Sequence, residues 1–289
     1  MEIVILGMHR SGTSMVSGII NKLGVFGGDA MALEQASKWN PKGYWESPEL
    51  RHANNRILSA VGRRWDRVHA LDEAMLESQR ERISAICKEL QPTLQAFGQH
   101  GDWAVKDPRM CLLLPVWRGF LCNPVAVLVV RNPVEVAESL HKRDQLPYVA
   151  GVALWEFYTR AALRHSRGMP RFLVDYNALL DDPAAEIERL RSFLAKAGVQ
   201  VTNAVDQVQG FVEPGLYRSK PDRISASGLL NREQMDLYAK LRAGDMDDSG
   251  VVSAGALEIL ALHEKAYPPV AKKKKGLAKY FGHIIRNAK

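Results

Sequence analysis

A glycine-bearing loop near the start of the chain constrains the fold more than any other feature of the sequence. Residues 2–6, EIVIL, form a β-branched apolar run that predicts a buried strand. The loop GMHRSGTS follows at 7–14, and apolar residues recur at helical spacing over 15–23. A strand, a glycine turn and a helix in this order predict a loop whose backbone N–H groups and helix N-terminus converge on an anion.

The residues within this loop narrow the kind of anion. Loops that bind nucleoside triphosphates carry Lys and then Ser or Thr directly after the second glycine, to hold the terminal phosphates and Mg²⁺. Here Thr13 takes the lysine position, and the cation is Arg10, inside the loop. The loop therefore suits a small phosphate or phosphosulfate end with no obligatory metal. The plainer alternative is a glycine turn followed by a helix cap at Thr13 or Ser14.

The rest of the chain alternates short apolar runs with helical patterns, which predicts an α/β fold. It is a P-loop-like parallel sheet flanked by helices and joined by right-handed crossovers. From about residue 210 the pattern weakens into loops and short helices, which predicts a C-terminal cap. Further strands are predicted at 103–106, 125–130 and 172–175, and helices at 75–97 (interrupted or kinked around Pro92), 133–141, 147–167 and 183–196.

We predict one domain at 1–271, with an α/β core at about 1–210 and the cap at 211–271, and a separate tail at 272–289. The net charge is +7, and the tail alone contains seven Lys and Arg residues and no acid. The remaining chain is formally neutral, which argues against a nucleic-acid partner. The tail also has an apolar stripe at helical spacing, so it is either an interfacial membrane helix or a helix docked on the body.

Other features exclude several classes of protein. The three cysteines are too few for a disulfide framework, and none has zinc-ligand spacing to a second Cys or His, so no metal site is expected. No apolar run approaches the length of a membrane span, and no signal peptide precedes the loop. These observations predict a cytoplasmic protein, with peripheral contact at the inner membrane surface if the tail binds lipid.

A second pattern predicts a phosphate clamp. The continuously apolar run at 125–130 reads as a strand buried on both faces, and Arg131 follows it at the carboxyl edge of the sheet, where open α/β folds bind ligands. Ser139 lies eight residues further on, on the next predicted helix. An arginine and a hydroxyl make a charge-assisted phosphate site. Alone, such an arginine is more often a surface residue.

Together, the two patterns resemble the 3′-phosphoadenosine-5′-phosphosulfate (PAPS)-dependent sulfotransferase superfamily, in particular its bacterial and Golgi-type carbohydrate and tyrosylprotein members. The resemblance implies that Arg10 and the loop bind the 5′-phosphosulfate, and that Arg131 and Ser139 bind the 3′-phosphate. Asn177 and Ala178 depart from an acidic pair common in the family. Further similar segments are NPKGYWE at 40–46, VKDPR at 105–109, DYNALLDDP at 175–183 and EPGLYRS at 213–219.

The resemblance also implies roles for individual side chains. Glu46 matches a general base, with Glu34 in reserve, and Lys106 matches a lysine that neutralises charge at the bridging oxygen. His9 is a candidate for substrate contact, although a lone histidine is more often structural. The implied catalytic residues are Glu46, Lys106 and Arg10, and the implied cofactor-binding residues are Arg10, Ser11, Gly12, Thr13, Ser14, Arg131, Ser139, Tyr176 and Arg218.

The function that the resemblance implies is transfer of a sulfuryl group from PAPS to a hydroxyl of an acceptor, a glycan or glycolipid, with no metal. Two alternatives remain at this stage. One is a P-loop nucleotide kinase or other phosphotransferase, which Thr13 disfavours. The other is a nucleotide-binding protein that keeps the fold without turnover, which the presence of Arg10, Glu46 and Lys106 disfavours.

Overall fold

A computed structural model describes residues 1–29, 32–37, 42–212, 228–247 and 249–266. The predicted nucleotide-binding residue Arg218 and the tail at 272–289 lie outside these residues, so both stay predictions. No helix of the described residues is long and apolar enough to cross a membrane.

The described elements are four strands and twelve α-helices. The strands are β1 (Glu2–Leu6), β2 (Trp103–Lys106), β3 (Pro124–Val130) and β4 (Arg171–Asp175). The helices are α1 (Thr13–Lys22), α2 (Pro48–Ala60), α3 (Glu73–Glu77), α4 (Arg80–Gly98), α5 (Met110–Trp117), α6 (Pro133–Asp144), α7 (Tyr148–His165), α8 (Tyr176–Asp181), α9 (Pro183–Lys196), α10 (Val205–Gln209), α11 (Arg232–Arg242) and α12 (Ala254–Ala266).

The sheet is parallel throughout, with strand order β2-β1-β3-β4. Its central strands carry apolar residues on both faces because each face is covered by helices. On one face Val4 and Leu6 pack with α2, α4, α5 and α7, and on the other Ile3 and Ile5 pack with α1 and α9. The predicted α/β fold with a parallel sheet flanked by helices is confirmed.

The strand order places a crevice between β1 and β3. The chain leaves β1 into α1 on one face of the sheet and leaves β3 into α6 on the other face. The loops after these two strands therefore diverge, and open α/β sheets bind ligands at such a switch point. The glycine loop and Arg131 flank this crevice.

The helix predicted at 75–97 is two helices, and its break is not at the predicted proline. The chain leaves α3 at Glu77 and begins α4 at Arg80, whereas Pro92 lies inside α4 without interrupting it. Pro92 and Lys88, the residue four positions earlier, are both exposed. The carbonyl that loses its N–H donor therefore belongs to a residue on the solvent side of α4.

The described part of the predicted cap consists of α11 and α12, and α12 packs along α7. Glu156 of α7 is fully buried and joins the three helices. Its carboxylate accepts hydrogen bonds from Arg160, from the Gln234 side chain and from both the backbone and the hydroxyl of Ser253. The division of the chain into core and cap stays a prediction.

Candidate active site

Hydrogen bonds fix the backbone of the glycine loop just before α1. The Gly7 N–H donates to the Cys111 thiol at 3.0 Å, and the Ser11 N–H donates to the Met8 carbonyl at 3.1 Å. Gly12 is the N-cap of α1, with φ 95° and no side-chain cap. The first N–H groups of a helix have no intrahelical acceptor. Among the described residues no side chain caps them, so they face the loop and are available to an anion.

Tyr176 explains why the loop needs a glycine at position 12. A Cβ atom there would lie 2.1 Å from ring carbon Cδ2 of Tyr176, and the positive φ adds backbone strain for any other residue. Tyr176 directly follows β4, so the sheet brings its ring against the loop. The structure thus places this predicted nucleotide-binding residue beside the predicted anion loop.

Arg10 joins the loop to α6. Its backbone has a left-handed φ of 72°, uncommon for a residue other than glycine, and its Nε donates to the Ser139 hydroxyl at 2.8 Å. Burial, followed by the positive charges of Arg143 and Arg131, lowers the pKa of Arg10 to about 10. Arg10 therefore stays positively charged at neutral pH. Arg10, predicted for the 5′-phosphosulfate end of PAPS, and Ser139, predicted for its 3′-phosphate, are therefore in direct contact.

Arg131 lies at the carboxyl end of β3, as predicted, and is oriented from several sides. Its Nη1 donates to the Arg10 carbonyl at 3.2 Å, and its guanidinium lies 4.8 Å from the Tyr176 ring centroid. Its Nε donates to the Glu135 carboxylate at 2.8 Å. Asn177 donates to the other oxygen of Glu135 at 3.3 Å. Asn177 therefore has a polar role despite its departure from the family pattern.

Glu135 was not predicted from the sequence. It is 1% exposed, and its spacing of four residues from Arg131 was the available signal, because such pairs face each other on a helix. Here the arginine precedes the helix by two residues, which hid the pattern.

Glu46 and Lys106 form a buried ion pair, with Lys106 Nζ 2.7 Å from Glu46 Oε1. The same ammonium donates to the Ser14 hydroxyl at 3.1 Å. The predicted base, the predicted lysine and the anion loop therefore meet at one point. The reserve candidate Glu34 is half-buried, and its carboxylate is 3.0 Å from Arg51. This geometry favours Glu46 over Glu34.

His9 points from the loop into the protein. Its ring lies 4.6 Å from the Trp65 ring and 5.9 Å from the Tyr158 ring, between centroids. Burial, followed by the positive charge of Arg109, holds the pKa of His9 well below 6.5, so its imidazole is neutral at pH 7. Among the described residues, neither His9 Nε2 nor the Ser11 hydroxyl has a hydrogen-bond partner.

Among the described residues, no group of three or more His, Cys, Asp or Glu side chains is arranged to hold a metal ion. The predicted independence of metal stays a prediction. Asp175, the acidic residue that ends β4, caps α8 and binds Arg242. In the strand order β2-β1-β3-β4, this aspartate lies two strands away from β1, which precedes the glycine loop.

The model of the sulfotransferase family matches residues 2–198. No curated protein matches significantly. Among solved structures, the sulfotransferase domain of the Synechococcus PCC 7002 olefin synthase is 14% identical, with 90% of this chain and 93% of that chain covered and a TM-score of 0.46.

Two other solved structures are similar at the same low level. The sulfotransferase domain from the curacin biosynthetic pathway is 15% identical, with 91% and 96% covered and a TM-score of 0.44. Retinol dehydratase, in complex with androsterone and the inactive cofactor PAP, is 15% identical, with 88% and 82% covered and a TM-score of 0.34. The family model spans more than half of the chain. The chain therefore belongs to the sulfotransferase family, which confirms the resemblance to PAPS-dependent sulfotransferases and, with it, the enzyme class and co-substrate predicted from its motifs.

Proposed function

We propose that this enzyme transfers the sulfuryl group of PAPS to a sugar hydroxyl of a glycan or glycolipid, with Glu46 as the general base. The observation that carries the proposal is the contact of Lys106 with both Glu46 and Ser14. It brings a proton acceptor, a cation and the anion loop to one point at the crevice between β1 and β3. An acceptor hydroxyl beside Glu46 would be next to a phosphosulfate in the loop.

The sulfuryl donor PAPS would bind along the crevice between β1 and β3. The N–H groups of the loop and Arg10 would hold the 5′-phosphosulfate, while Arg131 and Ser139 would hold the 3′-phosphate. The hydrogen bond from Arg10 to Ser139 supports this arrangement because it joins a residue proposed for the 5′-phosphosulfate to a residue proposed for the 3′-phosphate. Tyr176, which packs against both Gly12 and Arg131, would border the nucleotide.

The reaction would be an in-line displacement at sulfur. The acceptor oxygen forms a bond to sulfur as the bond from sulfur to the bridging oxygen breaks, and adenosine 3′,5′-bisphosphate leaves. The acceptor proton passes to the Glu46 carboxylate. An ammonium group has three N–H donors, and Glu46 and Ser14 use two in this structure. None of the described residues accepts from the third, which would be available to the bridging oxygen, where negative charge grows.

The proposal of a sugar acceptor rests on the resemblance to carbohydrate sulfotransferases and on the surroundings of the loop. Trp65 is half-buried, lies against His9, and has the Arg143 guanidinium 5.6 Å from a ring centroid. An aromatic face with polar neighbours suits a sugar ring. The test is incubation of the enzyme with ³⁵S-labelled PAPS and separate glycan, lipid and protein fractions of its source. Label in the protein fraction alone would contradict a sugar acceptor, and no label anywhere would favour the non-catalytic alternative.

Arg131→Ala is expected to weaken binding of adenosine 3′,5′-bisphosphate by about 1.5–3 kcal/mol, the usual contribution of a charge-assisted hydrogen bond. Binding of adenosine 5′-phosphosulfate, which lacks the 3′-phosphate, should change little. Isothermal titration with both nucleotides measures this selectivity. An equal loss for both would mean that Arg131 acts only through its structural contacts with Glu135 and the loop.

EDTA is expected to leave turnover of PAPS unchanged, because Thr13 stands where Mg²⁺-nucleotide loops have lysine. The measurement is the rate of formation of adenosine 3′,5′-bisphosphate after dialysis against the chelator. A loss of activity that Mg²⁺ restores would contradict the prediction and support the phosphotransferase alternative.

A further inference from the structure

A buried chain of hydrogen bonds lies behind the Glu46–Lys106 pair. Asn54 of α2 is fully buried, and its Nδ2 donates to Asp107 Oδ2 at 3.0 Å. Trp117 of α5 donates from its indole Nε1 to Asn54 Oδ1 at 2.7 Å. The other oxygen of Asp107 accepts from the Arg109 backbone at 2.9 Å and from its guanidinium at 2.8 Å.

The direction of these bonds is fixed by the tryptophan. An indole N–H only donates, so the oxygen of the Asn54 amide must face Trp117. The NH₂ group of Asn54 must then face Asp107, whose carboxylate only accepts when ionised. Rotation of the amide by half a turn would place two donors together at Trp117. The chain of bonds therefore has a single orientation, which holds Asn54 and Asp107 in one relative position.

The proposed catalytic residues Glu46 and Lys106 lie on the same two segments of the chain as Asn54 and Asp107. Glu46 precedes Ser47, the N-cap of α2, whose hydroxyl accepts from the Leu50 N–H at 3.2 Å. Lys106 ends β2 and directly precedes Asp107. The segment of α2 therefore contacts the β2–α5 turn twice, through Glu46 with Lys106 and through Asn54 with Asp107.

The apolar packing of α2 and the Asn54–Asp107 hydrogen bond restrict the position of this helix to different degrees. The apolar packing of α2 against α4 is not directional and permits small displacements along the helix axis. A hydrogen bond tolerates little change in length or angle, so the Asn54–Asp107 bond restricts such displacements. Displacement of a reacting group by about 1 Å can lower a rate by about 10²-fold.

We propose that Asn54 is a positioning residue, which sets the place of the Glu46 carboxylate relative to the Lys106 ammonium through its bond to Asp107. This inference rests on the proposed function, because it assigns the effect to the sulfuryl-transfer step. Asn54 itself touches neither Glu46 nor Lys106 by any hydrogen bond of the described residues.

The test exchanges the amide of Asn54 and the carboxylate of Asp107 between the two positions. Asn54→Asp alone sets two carboxylates against each other. Asp107→Asn alone sets an NH₂ group against the NH₂ of Asn54 or against the N–H donors of Arg109, or leaves Trp117 without an acceptor. Each single substitution is expected to lower kcat by about 10–100-fold. The double variant Asn54→Asp/Asp107→Asn restores a donor opposite an acceptor and keeps the net charge. It leaves Arg109 an amide oxygen in place of a carboxylate, so it is expected to be faster than either single variant rather than equal to wild type.

The affinity for adenosine 3′,5′-bisphosphate separates positioning from general damage to the fold. It should stay within about twofold of wild type in every variant, because most of its proposed contacts, from the glycine loop, Arg131 and Ser139, lie on other elements. Asn55→Asp, a half-buried neighbour on the same helix, is the matched control and should keep kcat near wild type.

Three results would overturn the inference. They are single variants with unchanged kcat, a double variant no faster than the slower single variant, and a loss of nucleotide affinity as large as the loss of kcat. If a single variant fails to fold, the double variant still decides, because the inference requires it to be folded and active, and a double variant that is unfolded or inactive overturns it. Failure of the proposed function is recognised separately, as no turnover of PAPS by the wild-type enzyme.

Discussion

Glu46→Gln is expected to lower kcat by about 10²–10⁴-fold, the usual contribution of a general base. The amide keeps the shape of the side chain, and its oxygen still accepts the hydrogen bond from Lys106. It has no basic carboxylate oxygen to take the acceptor proton. Because the donor site does not include Glu46, the affinity for adenosine 3′,5′-bisphosphate should remain near wild type. Initial rates with labelled PAPS, beside titration with the bisphosphate, measure both quantities.

Glu34→Gln is the matched control for this substitution. Glu34 makes backbone hydrogen bonds to the segment of Glu46 and Tyr44, but its carboxylate binds Arg51, away from Lys106. The control should retain most of the activity. If Glu34→Gln loses activity and Glu46→Gln keeps it, the general base is Glu34. If neither variant loses activity, the proton passes to another acceptor, and His9, whose imidazole is neutral at pH 7, is the next residue to test.

Glu156→Ala is expected to lower the free energy of unfolding by about 3–5 kcal/mol, as for other broken buried ion pairs. The carboxylate is fully buried and accepts hydrogen bonds from Arg160, Gln234 and Ser253. Its removal leaves an arginine without its counter-ion and leaves buried donors on α11 and before α12 without acceptors. Unfolding in urea, followed by circular dichroism, gives the difference.

The control is Glu258→Ala, which removes an exposed carboxylate from α12. It should change the free energy of unfolding by less than about 0.5 kcal/mol, as is usual for surface positions. A loss below about 1 kcal/mol in Glu156→Ala would contradict the view that this carboxylate attaches the C-terminal helices to α7.

The sequence contained enough information for the fold because its signals are local. Continuous apolar runs, the helical spacing of apolar residues and the glycine after β1 each report on a few neighbouring residues, and the predicted strands agree with the observed strands to within one residue. The prediction failed at Ser78 and Gln79, where one helix becomes two. No proline or glycine marks that break, whereas Pro92, which does stand out in the sequence, is accommodated because its neighbourhood faces solvent.

The site was predictable where a motif has a fixed place relative to a strand. Arg10, Lys106, Arg131 and Tyr176 all follow or end strands, and parallel strands bring their carboxyl ends to one edge. The partners that orient these residues were not predictable. Glu135, Asn54 and Trp117 lie within helices, of which α2 and α5 were not predicted, and a polar or aromatic side chain at a buried helix position has no local signal of its own.

The sequence by itself therefore determined the parallel α/β fold, the anion loop and the family, since these depend on residues close together in the chain. Only the tertiary structure decided that Glu46, rather than Glu34, meets Lys106, and that Asn54 and Glu156 are buried hydrogen-bonding centres. The physical reason is distance along the chain. Glu46 and Lys106 are joined by an ion pair across 60 residues, and Glu156 and Ser253 by hydrogen bonds across 97. Such contacts arise only when the sheet and its covering helices have packed.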